Sequence, residues 1–256
     1  MLAYQPPFQI TPAMLDLVAE ISERLGRWHV VLGESGEGLS LQARRSHRIK
    51  AIQSSLAIED NSLSIEQVTA ALDGRRVVCS PKELLEARNT YHAYDSLPLW
   101  QPYNVQHLLA AHSLLMNGLV DNAGHWRQTG VGIYRGEQLL HMAPPPRQVP
   151  QLMTDLLFWL KQSPVHPLIA SSVFHYELEF IHPFSDGNGR IGRLWQTLIL
   201  SRWRPVLAYL PTEVVIHRQQ NQFYGALSTA DQANDASIFV ELMLQAVLSA
   251  MQYWPI

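Results

Sequence analysis

The chain is poor in the residues that mark several common classes of protein. It has one cysteine, Cys79, in 256 residues, so no intramolecular disulfide can form and a disulfide-stapled fold is excluded. Cys79 reads as a structural residue. Charge is sparse: 16% of the residues are Asp, Glu, Lys or Arg, and the formal net charge is -3. No run of lysine or arginine offers the basic stripe that nucleic acid or an anionic membrane surface requires, so neither is expected as a partner of this chain alone. No apolar stretch reaches the roughly 18 residues of a spanning helix. The start MLAYQPPFQI also lacks the basic-then-apolar pattern of a secretory leader. A cytoplasmic protein is expected.

What the chain does have is apolar residues, 47% of the total, enough for a substantial core. They recur at helical spacing over residues 11–25, 40–59, 64–72, 81–97, 105–119, 149–160, 167–180, 190–203, 212–230 and 236–254. Ser64 and Gln67 have the spacing of a capping box, and Thr11-Pro12 and Ser80-Pro81 place proline in a first helical turn. The pattern predicts an all-α protein. Residues 129–141 depart from it, with short β-prone runs on either side of Arg135-Gly136-Glu137 that read as a small hairpin. Met142-Ala-Pro-Pro-Pro-Arg147 then forms a stiff, non-helical connector. There is no internal repeat. The expected organisation is an N-terminal helical region, residues 1–100, ahead of a core of residues 101–256, with no further domain after the last helix.

The chemistry concentrates in FIHPFSDGNGRIGR, residues 180–193. Gly187 and Gly189 mark positions that need positive φ or close backbone approach. Successive amides can then point into one concavity, and a helix N-terminus follows directly, which together make an anion nest. Arg190 and Arg193, three residues apart on that helix, can reach separate oxygens of one polyphosphate. Asp186 beside phosphates calls for a cation between them, and Mg²⁺ suits one carboxylate plus phosphate oxygens. His182 at the rim can accept a proton from an attacking hydroxyl. These are the parts of a phosphoryl or nucleotidyl transfer site.

His182-Pro-Phe-Ser-Asp-Gly-Asn-Gly-Arg190 with Arg193 resembles the full signature of the Fic domain family, H-P-F-x-D/E-G-N-G-R-x-x-R, with flanking features over roughly residues 130–227. The resemblance implies a helical Fic fold with a hairpin flap, and transfer of AMP from ATP to a Ser, Thr or Tyr hydroxyl of a target protein. It implies His182 as base, Asp186 as Mg²⁺ ligand and Gly187 to Gly189 as phosphate nest. Asn188 would meet the α-phosphate, Arg190 the β-phosphate and Arg193 the γ-phosphate, with Phe184 as the loop's apolar anchor. Residues 131–141, including Gly132, Ile133 and Tyr134, resemble the flap on which a target segment pairs as an added strand. Asn221 and Tyr224 resemble contacts of the adenine pocket.

A second motif lies far upstream. Ser55 and Glu59 are four apart, so they share one face of a helix. They resemble the family's inhibitory helix, S/T-x-x-x-E followed by Gly or Asn, with Asp60 here in the following position and Asn61 expected to supply a left-handed terminus. Glu59 would pair with Arg193 and keep it from the γ-phosphate. The alternatives within the family are removal of AMP, transfer of another nucleotide, or phosphorylation as in Doc toxins, which the two glycines disfavour. Outside enzymes, a nucleotide-sensing interaction module is the alternative, which His182 disfavours. Self-modification and a homodimer are left open.

Overall fold

The computed structural model describes residues 4–33, 36–135 and 138–253, with backbone only for 133–135, 138–141 and 253. Eleven helices and one two-stranded sheet are found among the described residues. The longest run of burial falls on α7 (Pro167–Ile181) and α8 (Asn188–Trp203), which pack against each other and carry few exposed positions on any side. A helix that is apolar all round belongs at the centre of a fold, and α7 is nearly so, from Leu168 to Ile181. The loop between these two helices is the signature loop, so the fold holds it on its most rigid pair.

Other helices surround that pair. α11 (Ser237–Ala250) packs on α7, and α1 (Pro12–Leu32) covers both. α2 (Leu41–Ile58) lies against α4 (Pro81–Asp95), α9 (Thr212–Arg218) and α8, which brings its C-terminal end to the signature loop. α3 (Ile65–Leu72) packs on α4, and α5 (Val105–Leu115) lies against α4 and α8. α6 (Val149–Gln162) backs α7, and α10 (Gln220–Ala233) joins α9 to α11. One apolar core runs from Met14 to Met251, so residues on both sides of position 100 share it.

The expected start signals form as hydrogen bonds. Ser64 and Gln67 close a reciprocal capping box, as do Ser80 and Glu83, and Thr11 caps α1 ahead of Pro12. Two boundaries differ from the sequence expectation. Residues 212–230 are not one helix: Gln219, at φ -110° and ψ 27°, divides α9 from α10. The apolar pattern runs through this kink unbroken, so periodicity carries no sign of it. The left-handed terminus of α2 belongs to Asp60 (φ 63°), not to Asn61. The N–H groups of Asp60 and Asn61 donate to the carbonyls of Ala57 and Leu56 in a Schellman pattern. Asn61 is turned inward, donating to Glu86 Oε2 at 2.8 Å.

The hairpin forms as β1 (Gly132–Arg135) and β2 (Gln138–Met142), antiparallel, with a register irregularity between Ile133 and Tyr134. Gly132 pairs with Met142, Ile133 with His141 and Tyr134 with Leu139. The turn at Gly136-Glu137 and the side chains of Ile133 and Tyr134 lie outside the described residues.

Candidate active site

Helix α7 ends on His182, whose backbone is left-handed (φ 48°, ψ 62°). For a residue with a Cβ this conformation costs about 1 kcal/mol or more, so its surroundings must enforce it. Arg127 does so. Its buried guanidinium donates to the carbonyls of His182 at 2.6 Å, Ile181 at 3.2 Å, Thr129 at 2.9 Å and Pro144 at 2.6 Å. Its own N–H donates to the carbonyl of Pro183. Burial draws the Arg127 pKa below its usual value, and carbonyl dipoles rather than an acid surround the charge. One side chain thus ties the His182 turn to both ends of the hairpin.

Beneath the loop, Phe184 is fully buried and stacks on His112, with ring centroids 3.6 Å apart and planes within 3°. His112 Nδ1 accepts from the Gly124 N–H, so the proton sits on Nε2, which donates to the Asp186 carbonyl at 2.9 Å. Burial pushes the His112 pKa down to about 4, so the ring is a neutral strut. Asn188 closes the loop on itself. Its side chain accepts from Phe184 N–H and donates to Phe184 C=O, both at 2.9 Å. With both ends of that amide engaged, what Asn188 offers a ligand is its backbone N–H.

The two glycines serve different needs. Gly187 is left-handed at φ 83°, and a Cβ there would lie 2.6 Å from Met116 Sδ. Gly189 stands in the first turn of α8, where a Cβ would lie 2.6 Å from Glu59 Oε1. The Glu59 carboxylate therefore lies against the N-terminal backbone of α8, which is where an anion is most favoured.

Arg193 and Glu59 meet as well. Arg193, 2% exposed, donates from Nη2 to Glu59 Oε1 at 2.8 Å and to the Ser55 carbonyl at 3.1 Å, and from Nε to Ser55 Oγ at 3.0 Å. Burial opposes the charge on Arg193, but Glu59 outweighs it, and the net effect is a raised pKa. Arg190 donates to Asp186 Oδ1 at 3.0 Å and to Glu86 Oε1 at 3.3 Å. Glu86 also takes the Asn61 bond, so it joins the end of α2 to Arg190.

Glu179 lies one turn before His182 and is buried. Burial alone would push its carboxyl up, but His175, His182 and Arg193 prevail and hold it below the usual range. His175 in turn contacts Gln196 through Nδ1 at 2.8 Å. Tyr224 is half-buried near Glu59 and Arg193; burial first, then Glu59, raises its pKa. Asn221, one turn earlier on α10, is exposed.

The residues also fit a magnesium ion bound with substrate. The Asp186 side chain is 52% exposed. Its Oδ1 accepts from Gly187 N–H at 2.6 Å and from Arg190, and its Oδ2 takes no hydrogen bond among the described residues. No group of three or more His, Cys, Asp or Glu among the described residues could cage a metal. A lone carboxylate beside an amide cradle is what Mg²⁺ uses when phosphate oxygens complete its shell.

Comparison with known proteins agrees with this geometry. The Fic/DOC family model matches residues 102–200. A crystal structure of a Fic family protein from Desulfovibrio desulfuricans G20 is 56% identical, with a TM-score of 0.93, and the match covers 98% of this chain and 76% of that one. The chain belongs to the Fic family. A protein adenylyltransferase Fic from Nematostella vectensis is 26% identical over 236 residues, 87% of this chain and 51% of the relative. Another from Culex quinquefasciatus is 29% identical over 205 residues, 75% of this chain and 39% of the relative. The Fic chain described here thus spans about half the length of these curated relatives or less.

Several residues of this Fic site carry no sequence signal. Arg127, Glu86, His112, Glu179 and Gln220 lie outside the signature run or in unremarkable helical pattern. Gln220 donates to the Ile58 carbonyl at 3.1 Å, holding the end of α2 from the other side. A buried arginine fifty-five residues from the histidine it supports cannot be picked out from local spacing.

Proposed function

We propose that this Fic protein is an adenylyltransferase that moves AMP from ATP to a hydroxyl side chain of a protein, and that Glu59 restrains it. The observation that carries the reading is the Glu59 carboxylate lying over the α8 N-terminus and on Arg193. An acid placed there occupies ground suited to a terminal phosphate, so the same cradle has the shape and charge for a triphosphate.

In the reaction, the target hydroxyl oxygen bonds to the α-phosphorus, the bond to the bridging α–β oxygen breaks, and pyrophosphate leaves. The hydroxyl proton passes to the His182 imidazole, which the Arg127-braced turn holds at the loop rim. The amides at Gly187 to Gly189 and the guanidinium of Arg190 orient the phosphates. Arg193, once released from Glu59, meets the γ-phosphate. Magnesium, when bound, lies between Asp186 and the phosphates and neutralises charge there. Tyr224 and Asn221 flank the adenine. The target segment adds as a strand to the edge of the hairpin near Gly132, Ile133 and Tyr134, where main-chain pairing tolerates varied sequences. The protein itself is one such target. No helix among the described residues is long and apolar enough to cross a membrane, in keeping with a cytoplasmic site of action.

A second reading, removal of AMP from a modified target, is favoured by one detail. Glu59 uses Oε1 on Arg193, and its side chain remains 28% exposed, so its other oxygen can align a water. Two experiments separate the readings. Glu59→Gly protein is incubated with ATP and Mg²⁺ and its intact mass measured; a gain of one adenylyl unit supports transfer, and no gain on itself or on a panel of proteins contradicts it. An AMP-modified target is then incubated with the natural chain and with Glu59→Gly. Release of AMP only when Glu59 is present supports the second reading.

A further inference from the structure

A second cleft, of about 300 Å³, opens between α2 and α9, away from the signature loop. Its lining carries charge of one sign. His47 and Lys50 come from α2, His217 and Arg218 from the last turn of α9, and no Asp or Glu lines it. Gln53 and Ser54 add an amide and a hydroxyl. The acids on the neighbouring elements are engaged elsewhere: Glu59 on Arg193, Glu213 on Tyr94 and Thr197, and Glu66 on Ser64. His47 is buried, hydrogen-bonded to the Tyr209 backbone and close to Lys50. Cations gathered this way by a fold repel one another unless an anion lies among them.

We propose that this cleft binds a small phosphate-bearing anion, independently of the ATP site. An ammonium, a guanidinium fork and two imidazoles from two facing helices match a tetrahedral oxyanion, which can take charge-assisted hydrogen bonds from both sides at once. The anion thereby ties α2 to α9. At 100° per residue, His47, Lys50 and Ser54 share one face of α2, and Ser55 and Glu59 lie about a third of a turn around. A ligand in the cleft therefore steadies the helix that presents Glu59 without touching the signature loop. That consequence rests on the proposed restraint by Glu59; the binding does not.

The test is histidine-labelled NMR of the full chain, with His47 and His217 assigned through His47→Gln and His217→Gln. Inorganic phosphate, pyrophosphate and AMP are titrated separately, with chloride at matched ionic strength as control. Both resonances are expected to shift saturably with phosphate and not with chloride. Lys50→Gln/Arg218→Gln, at partly or fully exposed positions, is expected to weaken binding about tenfold or more. AMP binding more tightly than phosphate identifies a nucleotide as the source of the group, and equal affinity identifies the bare anion. The same titration on Glu59→Gly is expected to give the same cleft shifts, so loss of the proposed restraint leaves this result standing. No saturable shift, a shift matched by chloride, or an unchanged affinity in the double variant overturns the proposal.

Discussion

Replacing Glu59 with glycine removes one charge-assisted hydrogen bond, the 2.8 Å contact to Arg193 Nη2, and leaves the two bonds from Ser55 in place. A hydrogen bond to a charged group contributes about 1.5–3 kcal/mol. The Glu59 side chain is 28% exposed, so solvent screening moves the figure toward the lower part of that range, about 2 kcal/mol. Divided by 1.4 kcal/mol per decade, this is about a 30-fold gain in the population with Arg193 open to a triphosphate. The backbone at Glu59 (φ -101°, ψ 28°) is open to glycine, so the fold should persist. The assay is initial-rate incorporation of labelled AMP at saturating ATP and Mg²⁺. A rise of one to two decades agrees with the geometry. Glu59→Gln, which keeps the shape and loses the charge, should lie between the two. An unchanged rate in Glu59→Gly, with unchanged thermal stability, would refute the reasoning.

Further outcomes follow from the same geometry. His182→Ala should lower transfer by at least about 10²-fold while nucleotide affinity by calorimetry changes little; retained transfer would remove His182 as base. Arg127→Met should leave four carbonyls at the base of the hairpin and the His182 turn without this donor. The expected loss is about 3–5 kcal/mol, read as a melting temperature lower by on the order of 10 °C. Gly187→Ala meets both a left-handed backbone and Met116, and should cost about 1–3 kcal/mol by denaturant titration. Glu177, which accepts from the Tyr4 hydroxyl, is pushed up to about 7, chiefly by burial. A raised carboxyl stabilises the fold at low pH, and that contribution fades as pH climbs from its ordinary value of 4.5 through about 7. Glu177→Gln should flatten stability over that window.

Much of the site was legible because its parts are local. The run from His182 to Arg193 carries the turn, the cradle and both arginines within twelve positions, and the spacing of Ser55 and Glu59 already placed both on one helical face. What escaped the sequence was what depends on distant partners. Arg127 reads as any polar residue until the fold brings four carbonyls around it, and Glu86 as an ordinary helix acid until Asn61 and Arg190 converge on it. The role expected of Asn188 at a phosphate rested on its place in the motif, whereas its side-chain contacts with Phe184 show it bracing the loop. The division of α9 from α10 and the choice of Asp60 over Asn61 as left-handed residue are backbone decisions, settled by packing against α2 and by the Glu86 contact rather than by propensity.

The central claim is that the cradle from Asp186 to Arg193 receives a triphosphate when Glu59 is withdrawn. The most direct measurement is a crystal structure of Glu59→Gly with ATP and magnesium. The account predicts β- and γ-phosphates on the amides of α8's first turn and on Arg190 and Arg193, a metal on Asp186, and His182 facing the α-phosphorus from the hairpin side. A nucleotide bound away from the loop, or an Arg193 still folded onto Ser55 with the phosphates elsewhere, would contradict it.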